Sequence, residues 1–202
     1  MSATRFLPLL GILLLIGSAF CWRPWLQHRR HGTWGVILFR SGRWGQHVRD
    51  AMLVLFTLIT LGQGGVAAAR PESMSPVLEG MPMQIAGIAF LFGGVALVVI
   101  AQLHMGASWR IGIDESAAPG LVTGGVFRFC RNPIYLGMLS VVLGYTLLLP
   151  TRLSIVLLIA TFIAIRLQVR DEEAYLLKTY AEGFREYARR VSRFLPGIGR
   201  LR

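Results

Sequence analysis

Apolar residues along the chain fall into five runs, which polar stretches containing arginine separate. The runs cover residues 6–22, 51–69, 83–103, 134–149 and 153–165. A helix rises about 1.5 Å per residue, so the first four runs can cross a hydrocarbon layer of about 30 Å with modest help from flanking residues. The fifth run crosses only if Arg166 extends to the interface and the helix continues through Leu167 and Val169. Only residues 150–152 separate the last two runs, which predicts a tight antiparallel hairpin.

The composition also indicates a membrane protein. Of the 202 residues, 54% are hydrophobic, and mean hydropathy is positive, well above an ordinary soluble domain. The sequence therefore predicts an all-α integral membrane protein with about five transmembrane helices and a cytoplasmic amphipathic C-terminal helix.

Arginine accumulates in alternate loops, in residues 23–50, 106–131 and 166–202. Positively charged short loops stay in the cytoplasm, so we predict that the N-terminus lies outside and the C-terminus inside. Of the 21 basic residues, 20 are arginine, a bias that is typical of GC-rich bacterial genomes, so we expect a bacterial inner membrane. The formal net charge of +11 flanks membrane segments, where anionic lipid headgroups attract it. We therefore expect membrane lipids as partners and no nucleic acid.

The two halves of the chain differ in chemical content. Residues 1–105 read as anchoring helices with a basic interfacial connector at 23–50, and residues 106–202 as the half that carries chemistry. His28, His31 and His47 in the connector have spacings of three and sixteen, which match no common metal site. We expect no metal.

Three consecutive acids, residues 171–173, follow the last apolar run, where the negative potential of the membrane surface disfavours acids. If the helix continues, Glu173 lies on its inward face. The same face carries Leu177, Tyr180 and Phe184. Two interpretations stay open: Glu173 pairs with Arg166 or Arg170, or it receives the ammonium group of a ligand.

A polar knot, "RFCRNPIYLG" at residues 128–137, opens the fourth run. Pro133 suits the first turn of a helix, and Asn132 before it is a candidate N-cap. Glycines at 120, 124 and 125 precede the knot and let backbone amides approach a ligand. The positive end of the helix would stabilise an anionic group such as a carboxylate. The alternative is an ordinary helix start with arginines among headgroups.

The stretches "SWRIG", "LVTGGVFRFCRNPIYLG" and "RDEEAYLLKTYAEGFREYARRVSRFLP" resemble the C-terminal half of the isoprenylcysteine carboxyl methyltransferase and phospholipid methyltransferase superfamily. The resemblance covers residues 105–197, about half the chain. It implies a membrane enzyme that transfers a methyl group from S-adenosylmethionine to a hydrophobic or lipid-like acceptor, as isoprenylcysteine carboxyl methyltransferases do. Phospholipid N-methylation and thiol S-methylation are alternatives within the superfamily.

The resemblance also implies a set of cofactor-binding residues. They are Gly125, Phe127, Arg131, Asn132, Tyr135, Gly137, Glu172 and Glu173. In this assignment the acidic pair holds the methionyl ammonium, and the Arg131–Asn132 end holds the methionyl carboxylate. The adenosine lies near Gly125 and Phe127, and Tyr135 faces the sulfonium. Glu173 is also the candidate catalytic residue.

Three positions depart from the superfamily pattern. Asn132 replaces a common histidine, which favours an acceptor that needs no proton shuttle. Ala181 stands where glycine is common, and Phe184 where tyrosine is usual. An NADPH-dependent reductase of the sterol-reductase type is an alternative, although paired glutamates suit an ammonium better than a dinucleotide. A non-enzymatic membrane subunit is a third interpretation.

Overall fold

The computed structural model describes residues 3–39, 44–74, 76–77, 80–112, 120–195, 197 and 199–200. The described chain forms six α-helices, named here in order. They are α1 (Leu7–Ile16), α2 (Arg23–His31), α3 (Trp44–Ala69), α4 (Met81–Met105), α5 (Pro133–Leu148) and α6 (Arg152–Arg190). A π-helical segment, Gly17–Trp22, joins α1 to α2, so that the two form one continuous helical stretch.

Four helical stretches in the described residues are long and apolar enough to span a membrane. They are Thr4–His31, Trp44–Ala69, Met81–Ser108 and Arg152–Arg190. The short element is α5, whose 16 residues rise about 24 Å. The prediction of five apolar helices is confirmed, and so is the hairpin of α5 and α6. The fifth apolar run is short, and α6 continues through Leu167 and Val169, as the prediction for that run required.

Helix α6 has 39 residues and begins at a capped turn, where the Thr151 side chain accepts a hydrogen bond from the Ser154 amide. It joins the last membrane helix to the predicted amphipathic tail without a loop. Its one interruption is Ala181, at φ 44° and ψ −115°, a region that residues with a Cβ rarely adopt. Glycine adopts such angles without the strain that a Cβ causes.

Helices α4 and α5 approach each other closely through glycines spaced seven residues apart. A Cβ at Gly94 would lie 2.7 Å from the Gly137 carbonyl oxygen, and a Cβ at Gly137 would lie 2.8 Å from the Gly94 carbonyl oxygen. Gly87 and Gly144 repeat the arrangement further along the helices. Small residues that bring backbones together are typical of helix packing in membranes. The short α5 is therefore anchored against α4.

Side chains of α3, α5 and α6 form a closed polar layer, which consists of Gln63, Tyr145, Thr151 and Ser154. Gln63 Nε2 donates to the hydroxyls of Thr151 at 2.5 Å and Ser154 at 3.1 Å. Gln63 Oε1 accepts from the Tyr145 hydroxyl at 3.1 Å. The layer lies where α3 ends and α6 begins, and its hydrogen bonds tie three helices together.

The opposite end of the bundle, where α2 ends and α5 begins, is the arginine-rich end. Arg23 is buried there: its guanidinium donates to the main-chain carbonyls of Gln102 at 3.2 Å and Gly106 at 2.6 Å. The guanidinium also lies 4.8 Å from the centre of the Trp109 ring. The predicted interfacial connector is thus partly embedded in the fold at this end.

Candidate functional site

A cavity of about 320 Å³ lies among α1, α3, α4, α5 and α6, within the range of small-molecule pockets. Its polar mouth lies at the arginine-rich end, and its apolar body lies deeper between the helices. The mouth includes Arg49, Asp50, Gln102, Tyr135, Gln168 and Glu172. The body includes Ile12, Ile16, Phe56, Met138, Val142 and Ile165. Both halves of the chain contribute walls, so the cavity is amphipathic along the bundle.

Tyr135 and Glu172 form a pair in the mouth. Tyr135 lies in the first turn of α5, and its hydroxyl donates to Glu172 Oε2 at 2.9 Å. Glu172 itself lines the cavity. The pair fixes a carboxylate in the cavity wall.

Arg49 closes the side of the mouth between α3 and α6. Its Nε donates to Gln168 Oε1 at 2.7 Å, and its guanidinium pairs with Asp171 at 2.8 Å. The adjacent Asp50 is buried and accepts hydrogen bonds from the Phe39 amide and from Gln46 Nε2, both at 2.8 Å. The Arg49 contacts hold the start of α3 beside the middle of α6, and the Asp50 contacts hold the preceding loop against α3.

Glu173 faces away from the cavity, although it is the neighbour of Glu172. Its Oε1 accepts from Arg131 Nη2 at 2.9 Å and from Asn132 Nδ2 at 3.3 Å. Its Oε2 accepts from Arg193 at 2.5 Å. The prediction that Glu173 pairs with Arg166 or Arg170 is wrong. The carboxylate forms its ion pairs with Arg131 and Arg193.

Arg131 is used almost entirely by the protein. Besides Glu173, its guanidinium donates to the main-chain carbonyls of Ala188 at 2.9 Å, Val191 at 2.5 Å and Gly199 at 3.0 Å. It therefore ties the loop before α5 to the end of α6. Tyr187 supports the same junction, because its hydroxyl donates to the Phe127 carbonyl at 2.6 Å.

Cys130 lies inside this junction and is buried. Its thiol donates to the Arg193 carbonyl at 3.4 Å. Burial raises the pKa of the Cys130 thiol above its ordinary value, and a protonated thiol is a poor nucleophile. The residue therefore packs the junction and is not poised for chemistry.

The predicted capping role of the Asn132 side chain is wrong. Asn132 occupies the N-cap position of α5, but its side chain makes no capping hydrogen bond. Its amide instead donates to Glu173 and to the Arg193 carbonyl. The first-turn amides of α5 are therefore left without that cap at the cavity wall.

Five of the eight predicted site residues line the cavity. They are Phe127, Arg131, Asn132, Tyr135 and Glu172. Gly125 has φ +60°, and a Cβ there would meet the His104 ring, so glycine is required for the approach to α4. Gly137 is part of the α4–α5 contact. These two glycines and Glu173 hold the walls in position from behind.

Sequence reasoning missed Arg49, Gln102 and Arg193. A signal existed for the first, because its neighbour Asp50 directly precedes an apolar run, where an acid is as unusual as at residues 171–173. Gln102 lies near the end of the apolar run 83–103, and no motif around it indicates a function. Arg193 reaches Glu173 only because the chain turns after α6.

An all-helical membrane bundle with an amphipathic cavity defines the class of this protein. The family model for phospholipid methyltransferases matches residues 82–183. The chain belongs to this phospholipid methyltransferase family.

Two relatives extend the comparison. Protein-S-isoprenylcysteine O-methyltransferase of Rattus norvegicus is 26% identical over 119 residues, which make up 57% of this chain and 42% of the rat protein. The match thus spans less than half the length of that relative. A solved structure of the eukaryotic intramembrane Ras methyltransferase ICMT, an isoprenylcysteine carboxyl methyltransferase, has a TM-score of 0.63 at 18% identity. That match covers 100% of this chain and 71% of the other, so the shared fold includes the N-terminal half.

Proposed function

We propose that this protein transfers a methyl group from S-adenosylmethionine to a hydrophobic acceptor held within the membrane. The observation that carries the proposal is the amphipathic cavity: one continuous space joins a polar mouth to an apolar body between membrane helices. A charged cofactor fits the mouth, and an apolar chain fits the body. The cytoplasmic location of the arginine-rich end is part of the proposal, since the cofactor is cytosolic.

Glu172 is the acid that we assign to the methionyl ammonium. It faces the cavity, and Tyr135 holds one of its oxygens, so the carboxylate is oriented before a ligand binds. Glu173 supports this wall from behind through its ion pairs with Arg131 and Arg193. The sequence predicts that both glutamates hold the methionyl ammonium. We now assign this binding role to Glu172 alone, and Glu173 positions the wall.

The start of α5 is the proposed site for the methionyl carboxylate. Pro133 and Ile134 line the cavity, and the Asn132 side chain leaves the first-turn amides uncapped. A helix N-terminus stabilises a carboxylate through its free amides and its dipole. Arg131 contributes positive charge nearby although its donors are used within the protein.

When bound, S-adenosylmethionine supplies a methyl group on a sulfonium, a good leaving group. The chain has to align the acceptor with that methyl and exclude water. Tyr135 and Met138, one turn apart on α5, line the cavity where mouth and body meet. The apolar walls on the body side exclude water from this junction.

The acceptor we propose is an isoprenylated cysteine carboxylate or a close chemical analogue. A carboxylate needs no base, which agrees with asparagine at position 132. Its prenyl chain would lie among Ile16, Phe56 and Val142, in the apolar body. The likeness to isoprenylcysteine methyltransferases supports this choice.

The test is methyl transfer by the purified chain in lipid nanodiscs. Tritiated S-adenosylmethionine is supplied with N-acetyl-S-farnesylcysteine, and base-labile methyl ester is measured. We expect ester formation by the wild type and by Glu186→Gln, an exposed acid on α6, and at least a tenfold loss for Glu172→Gln. Absence of transfer to any lipid-soluble acceptor, with the protein folded, would contradict the proposal.

A further inference from the structure

Gln102 presents a buried carbonyl oxygen with no partner. The residue is 2% exposed and lines the cavity near the end of α4. Its Oε1 has no hydrogen-bond partner among the residues that the structure describes. A buried acceptor left unpaired costs free energy, and in native proteins such an atom calls for an explanation.

Other buried glutamines of the bundle are paired. Gln27 accepts from Arg23 at 2.9 Å and donates to the Ala107 carbonyl at 3.0 Å. Gln63 has partners for both its oxygen and its nitrogen in the closed polar layer. Each of these amides serves the fold, whereas the side chain of Gln102 leaves its oxygen unused.

The Arg23 contact does not explain Gln102. Arg23 Nε donates to the main-chain oxygen of Gln102, so any residue at 102 would keep this bond. This main-chain bond therefore does not account for the side chain, which lies beside the cavity.

We infer that Gln102 is a ligand-binding residue, whose side-chain oxygen accepts a hydrogen bond from an N–H or O–H group of the bound ligand. The inference rests on the proposed function for the identity of the ligands. Two sources carry such donors: the adenosyl part of the cofactor, and the polar end of the acceptor.

The position of Gln102 favours the cofactor. One turn earlier on α4, Val98 packs against Gly137 in α5, which puts Gln102 level with the start of that helix. The residue therefore belongs to the mouth and not to the apolar body. The adenosyl amine and hydroxyls are donors of the required kind.

The test compares Gln102→Met with Gln63→Met. Methionine has a similar volume but no carbonyl, so each substitution removes one amide from a buried site. Thermal unfolding in detergent is measured for both variants, together with calorimetric titration of S-adenosylhomocysteine and of N-acetyl-S-farnesylcysteine.

We expect Gln102→Met to keep or raise the Tm, because it removes an unpaired acceptor. The Kd for S-adenosylhomocysteine should rise about 3- to 10-fold. A rise confined to the farnesylcysteine Kd supports the same role with the acceptor as donor. Gln63→Met should lower the Tm and leave both Kd values unchanged, because its partners lie within the protein.

Two results would overturn the inference. One is a Gln102→Met variant whose two Kd values match the wild type, which leaves the proposed function intact. The other is a loss of Tm like that of Gln63→Met, which would assign the amide to the fold. If the wild type binds neither compound, the proposed function fails and the inference fails with it.

Discussion

The bundle contains two polar regions that use the same residue types in opposite ways. In the closed polar layer, Gln63 and Tyr145 find all their partners inside the protein. In the mouth, Gln102 and Tyr135 line a cavity, and the Gln102 oxygen is unpaired. Polar groups are costly within a membrane unless they are paired. The closed polar layer therefore stabilises the fold, and we propose that the mouth, where the Gln102 oxygen is unpaired, binds a ligand.

Glu172 and Glu173 show the same contrast in neighbouring residues. Glu173 is held by two arginines and an asparagine behind the wall, while Glu172 lines the cavity. On a helix, consecutive side chains point about 100° apart, so one step along the chain separates a buried, ion-paired acid from one that lines the cavity.

The largest effect should come from Glu173→Ala. It leaves Arg131, whose side chain is 2% exposed, without its carboxylate, and removing one partner of a buried pair costs about 3–5 kcal/mol. Thermal or denaturant unfolding in detergent measures the loss. Glu182→Ala is the control, since its pairs with Arg185 and Arg189 are exposed and should contribute less than about 1 kcal/mol. Equal losses of stability in the two variants would contradict the larger contribution of the buried Glu173 ion pairs.

Gly144→Ala should have the next largest effect. A Cβ at Gly144 would collide with the backbone of Leu91, and overpacking costs about 1–3 kcal/mol. Gly93→Ala on α4 is the control, because nothing lies within 4 Å of a Cβ there. Unfolding of both variants would be compared. A Gly144→Ala protein as stable as Gly93→Ala would mean that the stability of the bundle does not depend on close packing of α4 and α5.

Two tyrosines of α5 test the contrast directly. Tyr145→Phe removes the hydroxyl bonded to Gln63 and should cost about 1 kcal/mol of stability. Tyr135→Phe removes the hydroxyl that orients Glu172 and should weaken S-adenosylmethionine binding with a smaller loss of stability. Unfolding measures the loss of stability in each variant, and calorimetry measures the affinity of each variant for S-adenosylmethionine. The reverse pattern would contradict the assignment of the two regions.

The smallest effect should be a gain. Ala181→Gly relieves a residue at φ 44°, where strain of about 1–3 kcal/mol is partly offset by the flexibility of glycine. We expect a net gain of about 1 kcal/mol in unfolding. Gly183→Ala, a position in the same helix with nothing within 4 Å of a Cβ, should also stabilise, by about 0.5–1 kcal/mol. Destabilisation by Ala181→Gly would show that the bend is unstrained.

Periodicity and length predicted the helices well, because apolar runs determine where a chain can cross a membrane. They did not show that the last membrane helix and the amphipathic C-terminal helix form the single element α6, because the boundary between its two halves is a change in composition and not in backbone. The inward placement of Glu173 followed from helical spacing. Its partners did not, because Arg193 returns to it only after the bend at Ala181 and the turn at Val191.

The sequence predicted the site residues that belong to the family motif, but it did not predict the residues that other helices contribute to the cavity walls. Tyr135 and Glu172 belong to the motif that the sequence displays. Arg49 and Gln102 lie 86 and 33 positions before Tyr135 in the sequence, and only the packing of α3 and α4 against α5 and α6 brings them to the mouth. Spacing along the chain does not predict such contacts between helices.

Calorimetric titration of S-adenosylmethionine into wild type, Glu172→Gln and Glu186→Gln tests the central claim most directly. The account predicts binding by the wild type and by Glu186→Gln, and a Kd at least about tenfold higher for Glu172→Gln, with all three proteins unfolding at similar temperatures. Equal affinity in all three proteins would contradict it, because the cofactor would then not depend on the carboxylate that faces the cavity.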